Sequence, residues 1–199
     1  MSLPNLLTLS RVPLLFAVVG LMYADFDLAA TIAFWLFIVA ALTDWLDGKI
    51  ARARGEVSSF GLFMDAVIDK VLVIGLMIAL VNNADNFMGH DITAMILLLC
   101  ILAREFAVSG LRMAVAVKGG VVEADTGGKV KTFVQLNSIG WLMGARMLAS
   151  EHGGGFGGDD RHWVTGVRFI GMGLYVLSAV LTVTSGASYF RRHGRVLFS

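Results

Sequence analysis

The segment Asp44-Trp45-Leu46-Asp47-Gly48-Lys49-Ile50-Ala51-Arg52, followed after eight residues by Gly61-Leu62-Phe63-Met64-Asp65-Ala66-Val67-Ile68-Asp69, sets four carboxylates within otherwise apolar sequence. Asp44 and Asp47 are spaced i, i+3, and Asp65 and Asp69 are spaced i, i+4, so each pair lies on one helix face. A carboxylate at mid-membrane depth costs about 2.5 to 3.5 kcal/mol on insertion scales, so such acids need partners or a wet cavity. Whether that cost applies depends on the sequence to either side.

Outward from this segment the chain is strongly apolar. Of 199 residues, 57% are hydrophobic and 16% charged, against about a quarter charged in soluble domains. The mean hydropathy is +0.76. This excludes disorder and argues against a soluble globular domain. A net charge of +1 provides no overall basic field for nucleic acid. Apolar stretches at residues 11–24, 28–47, 61–82, 92–117, 130–149 and 163–190 are candidate membrane helices, where roughly 20 mostly apolar residues cross the hydrocarbon layer. Their sum leaves no room for a second domain, so residues 1–199 are read as one all-α, polytopic membrane domain with six transmembrane helices. The first helix has neither a basic leader nor a small-residue cleavage site and reads as retained.

The connections differ in charge. Loops 24–27, 82–91 and 150–162 carry Asp25, Asp27, Asp85, Asp91, Glu151, Asp159 and Asp160 against Arg161. The other side carries Arg11, Lys49, Arg52, Arg54, Lys118, Lys129, Lys131, Arg191, Arg192 and Arg195. Basic residues stay in the cytoplasm during insertion, which places both termini there. The short basic loop between the second and third helices makes them antiparallel neighbours and gathers the four acids at one depth.

Four carboxylates in a low-dielectric site repel unless they share protons, bind a monovalent ion or hold hard divalent cations. Two divalent ions match four negative charges, and paired ions recur where a phosphodiester or pyrophosphate is clamped for displacement. The plainer alternative pairs the acids with Lys49, Arg52, Arg54 and Lys70 at the interface. Gly48 and Gly61 flank the acids, where missing side chains let a flat nucleotide approach the backbone. Arg52, one turn beyond Gly48, is a planar donor suited to phosphate.

This segment resembles the signature of the CDP-alcohol phosphotransferases, with every signature position filled. The resemblance implies a six-helix fold with a cytoplasmic-side active site and two divalent cations, Mg2+ or Mn2+. It makes Asp44, Asp47, Asp65 and Asp69 metal ligands, with Asp69 also the general base. Asn5, Gly48, Arg52, Ser58 and Gly61 match positions for the CDP moiety. Pro4-Asn5-Leu6-Leu7-Thr8 with Arg11, Ala103-Arg104-Glu105-Phe106 with Ser109 and Leu111-Arg112, and Gly128-Lys129-Val130-Lys131-Thr132 with Gln135 resemble members whose acceptor is sn-glycerol 3-phosphate. The reaction so implied converts CDP-diacylglycerol and that acceptor into phosphatidylglycerophosphate and CMP in the bacterial inner membrane. The family is dimeric, so a homodimer is expected among membrane lipids.

An acceptor bearing a dianionic phosphate needs a basic site open to the cytoplasm. Arg104 and Arg112, eight residues apart, fall on roughly one helix face, and Lys129 and Lys131 open the fifth helix. Arg146 and Arg168 fall near outer helix ends and read as snorkelling residues. Gly166, Gly171 and Gly173 permit close helix approach. The histidines share no helical spacing, and Cys100 reads as a small hydrophobe. Two other readings compete. Another acceptor, such as inositol phosphate or serine, would keep the same machinery. A cation or proton transporter would spread its acids across membrane depth, whereas these four lie near one side.

Overall fold

The computed structural model describes residues 3–54, 59–83, 86–117, 126–152 and 160–193, with side chains described outside 3–8, 44–63, 65–66, 117, 126–127, 151–152, 160–161 and 193. It contains six helices: α1 (Leu3–Met22), α2 (Ala29–Arg54), α3 (Ser59–Val81), α4 (Asp91–Val117), α5 (Thr126–His152) and α6 (Asp160–His193). No strand occurs among the described residues. The apolar stretches therefore locate every helix, but α1, α2, α5 and α6 run well beyond them into polar sequence. Hydropathy marks the part of a helix suited to lipid; backbone hydrogen bonding continues past it. Pro13 lies inside α1, where its missing N–H costs the helix one hydrogen bond.

The helices form two trios. In one, α1 packs against α2 and α3; in the other, α6 packs against α4 and α5, and α5 with α6 is the most extensive pairing in the chain. Contacts of α2 and α3 with α5, and of α3 with α4, join the trios. The shared core is built from Leu15, Val18, Phe37, Leu76, Met77, Leu80, Leu98, Ile101, Ile139, Leu142 and Tyr175, with every helix contributing. A smaller cluster, Val108, Leu111, Val115 and Tyr189, joins α4 to α6. Buried Gln135, Ser138, Ser178 and Thr182 lie within α5 and α6. Ser138, Ser178 and Thr182 hydroxyls donate to carbonyls of their own helices, and Gln135 Nε2 donates to Thr182 Oγ1 at 3.3 Å, so these groups are satisfied without water.

Of Gly166, Gly171 and Gly173, Gly171 alone meets a neighbour at close range. A side chain at Gly171 would place Cβ 2.9 Å from Leu142, whereas Gly166 and Gly173 face open space. Between α3 and α4 the chain turns through left-handed backbone at Met88 (φ 51°) and Gly89 (φ 85°). Asn86 Nδ2 donates to the Leu80 carbonyl at 3.0 Å, and the Phe87 ring meets Tyr175 edge-on at 4.9 Å. That turn thus ties the start of α4 to α6.

Large apolar side chains cover the outside, among them Phe16, Trp35, Ile92, Phe106, Phe133 and Trp163. An apolar exterior of this extent suits lipid rather than water. Among the described residues, 91–116 and 162–192 are helical stretches long and apolar enough to cross a membrane, and 9–22 and 29–43 are shorter apolar helices.

Candidate active site

All six helices contribute to one cavity of about 560 Å3 between the two trios, within the range that holds small-molecule ligands. Among the described residues its lining is partly apolar, with Phe37, Leu72, Ile101 and Leu136, and carries the cations Arg11, Lys70, Arg104, Arg112, Lys129 and Lys131 beside the acids Asp69 and Glu105. This excess of cations in a partly apolar enclosure is suited to anionic ligands.

The α4 wall follows from helix periodicity. Arg104, Glu105, Val108, Ser109 and Arg112 recur at i, i+1, i+4, i+5 and i+8 and all line the cavity. Arg104 NH1 donates to Glu105 Oε1 at 3.1 Å, and Lys131 Nζ donates to the same oxygen. These three side chains are at most 12% exposed, so Glu105 offsets charge that would otherwise be costly to enclose. Arg104 NH2 also donates to Ser185 Oγ at 2.9 Å, and Arg112 Nε donates to Tyr189 Oη at 3.1 Å. Lys70 Nζ donates to Ser109 Oγ at 2.6 Å, and Ser109 Oγ donates to the Glu105 carbonyl at 2.7 Å.

Between α1 and α3, Arg11 NH1 donates to Asp69 Oδ1 at 2.9 Å, with the Arg11 side chain 8% and the Asp69 side chain 48% exposed. A charge that reads in sequence as a flanking basic residue is therefore buried and fixes a carboxylate at the cavity.

The structure thus brings together Arg104, Arg112, Lys129 and Lys131 with Asp69. It separates the two lysines in kind: Lys131 is buried and Lys129 exposed, because positions two apart on a helix point about 200° from each other. Asp44, Asp47 and Asp65 lie within α2 and α3, Gly48 and Arg52 within α2, Gly61 within α3 and Asn5 within α1. The side chains and surroundings of these positions, and all of Ser58, lie outside the described residues, as does the expected meeting of the acid-bearing ends of α2 and α3. Among the described residues no group of three or more His, Cys, Asp and Glu gathers. Asp69 is the one described member of the quartet; its carboxylate is a hard oxygen donor on an accessible wall, a chemistry suited to Mg2+ or Mn2+.

Arg11, Lys70, Glu105, Ser185 and Tyr189 complete the site and were not assigned roles from spacing. Each has a partner on another helix, 26 to 81 residues away, beyond the reach of a local pattern. Arg146 and Arg168, expected to snorkel, are half-buried, and each encloses a nitrogen (Arg146 NH1, Arg168 Nε) that meets no partner among the described residues.

Residues 1–184 match the family model for CDP-alcohol phosphatidyltransferase. This chain belongs to that family. Among curated proteins it is 33% identical to the CDP-diacylglycerol–glycerol-3-phosphate 3-phosphatidyltransferase of Bacillus subtilis (strain 168), over 98% of this chain and 97% of that protein. Proteins of the same name from Rickettsia typhi (33% identical, 96% of each chain) and Salmonella choleraesuis (34% identical, 94% of this chain and 92% of that protein) are similarly related.

Proposed function

We propose that this chain is the enzyme that transfers the phosphatidyl group from CDP-diacylglycerol to sn-glycerol 3-phosphate, releasing phosphatidylglycerophosphate and CMP. One observation supports it: a single cavity lined by Arg104 and Arg112 of α4, Lys131 of α5 and Asp69 of α3, in a chain related over nearly its full length to proteins named for that reaction. Both substrates are anionic, so the reaction must bring like charges together. The cationic wall receives the acceptor's phosphate, and the wall bearing Asp69 receives its hydroxyl.

The acceptor hydroxyl attacks the phosphorus that carries diacylglycerol, the bond from that phosphorus to the bridging oxygen of CMP breaks, and the hydroxyl proton passes to Asp69. Arg11 holds Asp69 through Oδ1, restricting the carboxylate to one orientation. Lys129, exposed at the cavity rim, draws the dianion inward. Asn5, Gly48, Arg52, Ser58 and Gly61 hold the CDP moiety. Asp44, Asp47, Asp65 and Asp69 would hold two divalent cations, Mg2+ or Mn2+, which when bound polarise phosphoryl oxygens and stabilise the leaving phosphate.

The helices form a single domain spanning the bacterial inner membrane six times. Both termini and the cavity mouth face the cytoplasm, and the chain works as a homodimer. The apolar exterior and the alternation of helix directions support this placement: Arg11 and Asp69 in the first halves of α1 and α3 meet, as do Glu105 in the second half of α4 and Lys131 near the start of α5.

The test is CMP release by the purified protein from CDP-diacylglycerol, with sn-glycerol 3-phosphate, inositol phosphate or serine offered separately. Turnover with sn-glycerol 3-phosphate is expected. Turnover with either other acceptor and none with sn-glycerol 3-phosphate would overturn the choice of acceptor.

A further inference from the structure

We infer that α6 is the template that positions both arginines of the acceptor site, through Ser185, Gly186 and Tyr189. The inference rests on the reading of Arg104 and Arg112 as ligands of the acceptor's phosphate. These α6 positions, i, i+1 and i+4, share one helix face, and each meets an α4 arginine in a different way.

Gly186 supplies space. A Cβ built there would stand 2.5 Å from Arg104 Cγ and 3.0 Å from Arg104 Nε. Cγ belongs to the root of the arginine stem, which cannot yield without carrying the guanidinium with it. Arg104 Nε is itself buried with no partner among the described residues, and the stem lies in a slot that a Cβ at position 186 would fill. Ser185 supplies direction. Its hydroxyl donates to the Thr182 carbonyl at 3.1 Å, leaving oxygen lone pairs to accept from Arg104 NH2 at 2.9 Å. Tyr189 supplies a surface. Buried beneath Arg112, it accepts from Nε, and its ring centroid lies 5.4 Å from Cζ.

Arginine is long and loses much rotamer freedom when it binds. Fixing Arg104 by its stem and one terminal nitrogen, and Arg112 by Nε and its flat face, removes that loss from the binding step. Neither contact uses Arg112's terminal nitrogens, which meet no acceptor among the described residues and remain for the ligand. Ser185, Gly186 and Tyr189 are positioning residues, since they act through the arginines.

The experiment compares KM for sn-glycerol 3-phosphate, KM for CDP-diacylglycerol, and kcat in detergent-purified Ser185→Ala, Ser185→Thr, Gly186→Ala and Tyr189→Phe, with Arg104→Ala and Arg112→Ala as references and Tm recorded for each. Gly186→Ala ordinarily favours a helix; here it raises the acceptor KM roughly tenfold while the donor KM stays within about twofold. Ser185→Ala and Tyr189→Phe raise the acceptor KM by about three- to fivefold, and Ser185→Thr, which keeps the hydroxyl, restores it. A general loss of packing would lower Tm and would not separate the two KM values or be repaired by threonine. If the arginine variants raise the acceptor KM and the three α6 variants do not, the template is wrong and the acceptor site stands. If the arginine variants leave the acceptor KM unchanged, the acceptor site is wrong and the template falls with it. Should Gly186→Ala fail to fold, the Ser185→Ala and Ser185→Thr pair decides.

Discussion

At the cavity end of α4 and α6, the helices meet through charge and hydroxyl: Arg104 on Ser185 and Arg112 on Tyr189, with Lys131 of α5 on Glu105. At the opposite end of the same pair, Tyr175 Oη donates to the Ala94 carbonyl at 3.0 Å and its ring packs on Phe87, while Gly171 admits Leu142 of α5. The first set of contacts encloses cations that burial alone would disfavour, and accepts that cost where an anion is to be bound. The second set is what a helix bundle needs to hold together. Substitutions at the two ends should therefore separate chemistry from stability.

The largest effect is expected at Asp69. Asp69→Asn keeps the shape and removes the proton acceptor, so turnover falls on the order of 100-fold or more, while binding of CDP-diacylglycerol, measured by equilibrium dialysis, is retained. Full activity would remove the base from the mechanism. Next, Glu105→Gln leaves Arg104 and Lys131 without their shared negative charge. We expect a cost on the order of 2 kcal/mol, below the about 3–5 kcal/mol of a fully enclosed broken pair because the cavity admits solvent, seen as a drop of several degrees in Tm. Smaller changes are expected at the other end. Gly171→Val overpacks Leu142 at a cost of about 1–3 kcal/mol, and Tyr175→Phe removes one hydrogen bond worth about 0.5–1.5 kcal/mol. Both lower Tm and leave the KM of both substrates unchanged. A shift in acceptor KM from either would erase the distinction between the two ends.

The helices were legible because long apolar runs announce themselves. Their ends were not, since α2 continues to Arg54 and α6 to His193 on backbone hydrogen bonds that hydropathy does not register. The shared face of Arg104 and Arg112 followed from eight-residue spacing, which is local. Local spacing also parts Lys129 from Lys131, since positions two apart on a helix differ by about 200°. The burial of Arg11 against Asp69 and the bracing by Ser185 and Tyr189 depend on which helices become neighbours, and no single segment carries that information. The last third of the chain supplies α6 and with it the contacts that fix both arginines.

The central claim is that the cation-lined wall receives the acceptor's phosphate, and Arg112→Ala tests it most directly. The KM for sn-glycerol 3-phosphate is expected to rise roughly tenfold or more, the loss of one hydrogen bond to a charged group, with the KM for CDP-diacylglycerol within about twofold of the parent. An unchanged acceptor KM, or equal rises for both substrates, would contradict it.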